Sequence, residues 1–169
     1  MQAISGVTPA AVRETTAMVV WPSNAEFAIG RVLGQLFEMR FPDIYFLRIG
    51  NLFALLSIPI SLALYFYKVI PGMGNRYRLT NRRIIVESGL LGKEARSVGL
   101  DAFDTIELEV LPGQEWYAAG NLIFKRGQVE TFRLDGVSRP DCFKNICWKA
   151  HRAYVGVKQA APHLVSASA

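Results

Sequence analysis

Histidine and cysteine are scarce. Two of each occur in 169 residues: His151, His163, Cys142 and Cys147. The cysteines lie five positions apart, which fits neither a disulfide framework nor a zinc site, and on a helix they point in different directions. No metal or cofactor is expected. His151, on the last turn of a helix, reads as a helix-terminal cation or a packed ring. There is no Gly-Lys-Ser/Thr phosphate loop, and Gly72-Met73-Gly74 lacks the preceding strand and following helix of a dinucleotide fingerprint. Glu107 and Glu109 share one face of an alternating segment, as on a solvated strand. No nucleophile, base and orienting group come together, so no catalytic residue is assigned and no enzyme is expected. The first twenty residues lack the basic-then-apolar pattern of a signal peptide.

Apolar residues and positive charge are what the chain has. Hydrophobic residues make up 51%, and the net charge is +5. A basic balance points to an anionic partner, either nucleic acid or a lipid surface. The distribution of the apolar residues favours lipid. Ile49 to Tyr67 is nineteen residues without a formal charge. As a helix it would extend roughly 28 Å, near the thickness of a bilayer's hydrocarbon core. Tyr45 and Phe46 flank one end and Tyr65, Phe66 and Tyr67 the other, while Arg48 and Lys68 bracket the run. These residues suit the two interfaces. Pro59 argues against a regular buried helix of a soluble protein, whereas membrane helices tolerate proline. The segment 45–70 is therefore expected to be one transmembrane helix. Within about twenty residues, Arg31, Arg40 and Arg48 lie before it and Lys68, Arg76, Arg78, Arg82 and Arg83 after it. That bias places the following domain in the cytoplasm. A re-entrant loop bent at Pro59 is the alternative.

Residues 1–44 read as a flexible terminus to Ala17, a short extended apolar piece over Met18–Ser23 stopped by Pro22, and an amphipathic helix. Ser23 or Asn24 would cap the helix, Phe27, Ile29, Val32, Leu33, Leu36 and Phe37 would form its stripe, and Phe41-Pro42 would end it. The stripe suits either a protein core or the membrane interface. Pro71–Asn75 is a short linker of turn formers. From Arg76 the period changes to two, with strands over Arg76–Thr80, Arg83–Ser88, Glu94–Leu100 and Thr105–Leu111, a fifth contained within Trp116–Lys125, and another over Val129–Leu134. A final helix follows, with Ser138 as cap, Pro140 in its first turn and a stripe of Phe143, Ile146, Cys147, Ala150 and Tyr154. The domain would occupy 76–155, with 156–169 a flexible tail.

Tyr77-x-Leu79-Thr80-Asn81-Arg82-Arg83-Ile84-Ile85, then Ser88-Gly89-Leu90-Leu91, resembles the bacterial pleckstrin-homology-like family. So do Ile106 with Val110, Gly120-Asn121-Leu122-Ile123-Phe124, and Leu134-x-x-Val137-x-x-Pro140. The resemblance covers roughly Arg76 to Ala150. It implies a small β-barrel or sandwich of about seven strands closed by a C-terminal helix, preceded by membrane segments. It carries no general catalytic motif. The expected class is thus an α+β membrane protein with one transmembrane helix followed by this domain.

Arg76–Leu100 holds six basic residues against two acidic ones, and Asp101–Glu115 holds five acidic residues and no basic one. Arg76, Arg78, Arg82 and Arg83 are the candidate headgroup-binding residues, since a basic side chain near an anionic leaflet gains about 1 kcal/mol. Otherwise they mark topology and neutralise the acidic segment. The expected function is a membrane-anchored, non-catalytic scaffold at the cytoplasmic face of the cell (inner) membrane, contacting the bilayer and a protein partner or itself. The alternative is an anionic-lipid sensor using those arginines. Neither nucleic acid nor a small-molecule substrate is expected.

Overall fold

Apolar and polar side chains alternate from Asn75 onward, and each alternating stretch becomes a strand that turns one face to a shared core. The structure, a computed structural model, describes residues 14–38, 43–44, 47–69, 74–89 and 92–166. In chain order the elements are β1 (Thr16–Val20), α1 (Ala28–Glu38), β2 (Asp43–Ile44), β3 (Leu47–Arg48), α2 (Ile49–Val69), β4 (Asn75–Thr80), β5 (Arg83–Ser88), β6 (Lys93–Gly99), β7 (Thr105–Glu109), β8 (Ala119–Arg126), β9 (Val129–Ser138) and α3 (Pro140–Ser166). Single 3-10 turns occupy Asn24–Glu26 and Glu115–Tyr117.

Seven antiparallel strands form two sheets, ordered β1-β4-β5-β6 and β7-β8-β9, while β2 and β3 make a separate short hairpin. A bridge between Pro22 and Val137, with Ser23 N–H donating to the Gly136 carbonyl at 2.8 Å, joins the two sheets beside β1. The core between them holds Tyr77, Leu79, Ile84, Val86, Leu122 and Phe124 among others, and α3 closes it with Phe143, Cys147 and Ala150. The stripe expected on that helix is the face it buries. Tyr77 is almost wholly buried and its hydroxyl donates to the Asp135 carbonyl at 2.7 Å; burial pushes its phenol well above the ordinary range.

Three expectations are corrected. The edge strand β1 begins at Thr16, two residues inside the region read as a flexible terminus, and continues through Met18–Val20, which was expected to be extended. It pairs with β4 over Thr16–Thr80 to Val20–Tyr77. The segment 156–169 was expected to be a tail, but α3 continues to Ser166, and Lys158 pairs with Asp101 at 2.6 Å. The strand expected within Trp116–Lys125 is β8; it begins at Ala119, after a 3-10 turn that holds Trp116 and after Ala118 with φ 47°. Ser138 does not cap α3. It ends β9, and its hydroxyl donates to the Trp21 carbonyl at 3.1 Å. Ser23 does cap, accepting from Ala25 N–H at 3.1 Å, but it caps the 3-10 turn that precedes α1.

The predicted membrane segment is helical as α2. Among the described residues no helix is long and apolar enough to cross a membrane. The end of α1 at Phe41-Pro42, the flanking Tyr45 and Phe46, the linker residues 71–73, and Leu90-Leu91 lie outside the described residues.

Candidate functional site

The β4–β5 hairpin gathers the four candidate arginines, and its register decides what each one meets. Arg76 lies opposite Glu87 and Arg78 opposite Ile85, so the two arginines share a face. The Glu87 side chain is 1% exposed and takes both guanidiniums, from Arg76 Nε and from Arg78 Nη2 at 2.7 Å. A buried carboxylate is tolerated when paired in this way. Arg76 also sits 6.0 Å from the Trp21 ring, a cation–π contact.

Arg83 reaches the other way. Its Nε donates to Glu14 and its Nη1 to Glu94, each at 2.9 Å. The hydrogen bond from Arg83 is the main cause holding the Glu14 carboxyl below its ordinary value, with burial opposing it. The same bond raises the Arg83 guanidinium. Arg82 is exposed at the turn, where its N–H donates to the Thr80 hydroxyl at 3.2 Å and its carbonyl accepts from Leu100 N–H at 2.9 Å. Thr80 Oγ1 lies 2.9 Å from Glu14, and Asn81 exchanges two hydrogen bonds with the backbone of Thr15. The Thr80-Asn81-Arg82-Arg83 motif is thus the grip that holds β1 against β4.

Three of the four candidate arginines therefore spend charge on carboxylates of their own domain. Those carboxylates are Glu14, Glu87 and Glu94. The acidic segment finds other partners: Glu107 with Lys125, Glu109 with Arg133 and Asp101 with Lys158, all at 2.6 Å. His151 is a packed ring, its Nδ1 2.6 Å from the Leu100 carbonyl and its face beside Phe103 and Trp148. Cys147 is buried, which pushes its thiol up and makes it inert, while Cys142 is exposed.

The largest departure from ordinary surface chemistry lies on α2. Of its side chains from 52 to 67, only Ser57 is buried. Leu55, Leu56, Ile58, Leu62, Tyr65 and Phe66 are each more than half exposed. Monomeric proteins rarely leave so large an apolar surface in water. Among the described residues α2 packs against α1: Leu33, Leu36 and Phe37 face Phe53, Leu56 and Ile60 across an apolar cavity, and the Phe27 and Tyr67 rings meet edge to face at 5.6 Å.

The other face of α1 docks on the β domain. A Cβ on Gly34 would lie 2.1 Å from the Gly113 carbonyl oxygen, and one on Gly113 (φ 82°) 2.0 Å from that of Arg31, so only paired glycines allow this approach. The Phe37 and Trp116 rings are 5.3 Å apart, and Trp116 N–H donates to Glu38 at 3.1 Å. A buried amide pair props the receiving loop: Gln114 donates to Asn121 at 2.9 Å and accepts from Leu111 N–H at 2.8 Å. Sequence reasoning missed Gln114. A lone glutamine after Pro-Gly carries no periodic signal.

A family model described as the bacterial PH domain matches residues 28–148, from the first residue of α1 into α3. No curated protein and no solved structure gives a match.

Proposed function

This chain belongs to the bacterial PH domain family, and from that premise we propose that it is a membrane-anchored PH-like module. Its β domain sits at the cytoplasmic face of the cell membrane and scaffolds a protein partner or a second copy, without catalysis. The observation that supports the anchor is α2, an uncharged helix from residue 52 to 67 whose large side chains stand exposed. Each such side chain moved from water to an apolar medium gains about 1.5–3 kcal/mol, and a bilayer supplies that medium around the whole helix.

Two features support scaffolding. β6 is an open edge, exposed from Lys93 to Ser97, and beside it an open cleft of about 420 Å3 runs between Arg96 and Glu130–Arg133. An extended segment added to such an edge gains main-chain hydrogen bonds. Internal pairing of Arg76, Arg78 and Arg83 is why scaffolding is preferred here to headgroup sensing. The anchor is tested by washing membranes that contain the full chain with alkaline carbonate. The chain is expected to stay in the pellet; release into the supernatant would overturn the reading.

A further inference from the structure

We infer that α1 and α2 bed into one leaflet as a hairpin, with both ends of α2 on the β-domain side, so that α2 lies along the bilayer instead of crossing it. This rests on the membrane-anchor reading above. The excursion from β1 to β4 leaves and re-enters the same sheet, since Val20 pairs with Tyr77. A single crossing by α2 would put those hydrogen-bonded strands on opposite sides of the membrane.

Two crossings fail on α1. Its C-terminal end is fastened to the β domain, through Gly34 on Gly113 and through Glu38 on the Trp116 backbone. The chain has therefore not left that side by residue 38. From there α2 runs back along α1: Phe53 lies near Phe37 at one end of the pair, and Tyr67 meets Phe27 at the other. Both ends of α2 are thus close to the domain.

An interfacial helix ordinarily shows a polar face to water, and α2 has none. In this arrangement it needs none, because α1 covers its inner side and acyl chains surround the rest. Ile29 and Val32 on α1, 58% and 54% exposed, extend the same apolar surface. Trp21 and Trp116, 54% and 55% exposed, flank the two ends of α1, where indole rings at headgroup level would set the depth of immersion.

Charge and backbone agree with this placement. Arg31 before α2 and Arg76 and Arg78 after it then fall on one side of the bilayer, so the positive-inside bias is no longer divided between them. Pro59 has no N–H for the Leu55 carbonyl. A crossing helix centred on Pro59 would carry that group to the middle of the hydrocarbon, whereas a helix lying along the bilayer keeps it closer to headgroup level.

The test uses the full chain carrying Cys142→Ser, with a single reporter cysteine at Asp43→Cys, before α2, or at Gln128→Cys, in the β8–β9 turn. A membrane-impermeant maleimide is applied to carbonate-washed vesicles of each orientation. Both reporters are expected to label in the same vesicles and to lose labelling together when orientation is reversed. Labelling of Asp43→Cys only in the opposite vesicles, or only after detergent, overturns the hairpin and leaves the anchor standing. Loss of the chain in the carbonate wash overturns both.

Discussion

α2 and β5 invert the ordinary rule of burial in opposite directions. α2 turns its leucines and isoleucines outward and buries Ser57, while β5 buries Glu87 together with Ile84, Ile85 and Val86. The difference lies in what each element has beside it. β5 is the inner strand between β4 and β6, and β4 delivers two guanidiniums to the carboxylate that would otherwise be costly to desolvate. Among the described residues α2 has α1 against one side, through an apolar contact of few residues. The rest of its apolar surface is left exposed.

The hardest way to break the comparison is to leave the buried charges of the β domain unmatched. Glu87→Ala leaves Arg76 and Arg78 without their shared carboxylate. Both guanidiniums are about one-third exposed and water can reach them, so the loss should be about 3 kcal/mol, the low end of the range for buried pairs. Chemical denaturation of the detergent-solubilised chain should show that loss. Replacing all three residues together by Leu and Met should cost far less, because nothing charged remains to be desolvated. Equal losses in the two variants would mean that Glu87 acts through shape and not through charge.

The same contrast explains what could be read from the sequence. Regular alternation from Arg76 to Leu134 gave six strands close to their observed places, since their partners are sequence neighbours and turn residues mark each reversal. β1 was legible only as an extended apolar piece from Met18, and not as a paired strand, because Thr16–Val20 is five residues long and its partner lies some sixty residues away. The side chains that bind it belong to Thr80 and Asn81, which look like turn formers. For the arginines, sequence gave their clustering but not their partners: Glu14, Glu87 and Glu94 become neighbours only through strand pairing. The continuation of α3 was hidden by Gly156, whose helix penalty of about 1 kcal/mol is small enough for its surroundings to override.

For α2 the informative substitution is a charge on the outer side. Leu55 is 64% exposed and does not line the cavity shared with α1. Leu55→Lys should therefore change folding stability in detergent by no more than about 0.5 kcal/mol, as at other exposed sites. In membranes it should weaken retention, by up to about 2.5–3.5 kcal/mol if the site lies at the bilayer centre and by less near the headgroups, where lysine reaches water. Carbonate retention and detergent unfolding, measured on the same variant, separate the two. A large loss of stability in detergent would mean that α2 belongs to the protein core.

The seam between the two regions is the glycine contact under α1. Gly34→Ala places a methyl against the Gly113 carbonyl, and the overpacking should cost about 1–3 kcal/mol. The expected sign of undocking is selective: the Trp116 backbone amide loses its Glu38 partner and exchanges faster, while amides of β5 and β8 keep their protection. Uniform acceleration throughout the β domain would show that α1 is part of the global folding unit and not a separable adaptor between domain and lipid.

The smallest expected effect concerns α3, the helix that buries its apolar stripe in the usual way but whose last turns extend past it. Lys158 and Asp101 hold that extension. Their mutual hydrogen bond is the main cause that lowers the Asp101 carboxyl from 3.8 and raises the Lys158 ammonium from 10.5. A depressed carboxyl contributes stability above its ordinary value and loses it as pH falls through the lowered one. A raised ammonium contributes below its ordinary value and loses it as pH rises through the raised one. The tether is thus intact across neutral pH and is released by acid or by strong base. Both groups are exposed, so the effect should be confined to the extension. At neutral pH, Lys158→Ala should speed hydrogen exchange at residues 156–166 relative to the unmodified chain and leave β8 unchanged. Compared at equal pH, the difference should vanish in acid below the lowered Asp101 value, where the unmodified chain has lost the same contact. Identical exchange in the two chains at neutral pH would mean that the end of α3 is held by its own helical hydrogen bonds alone.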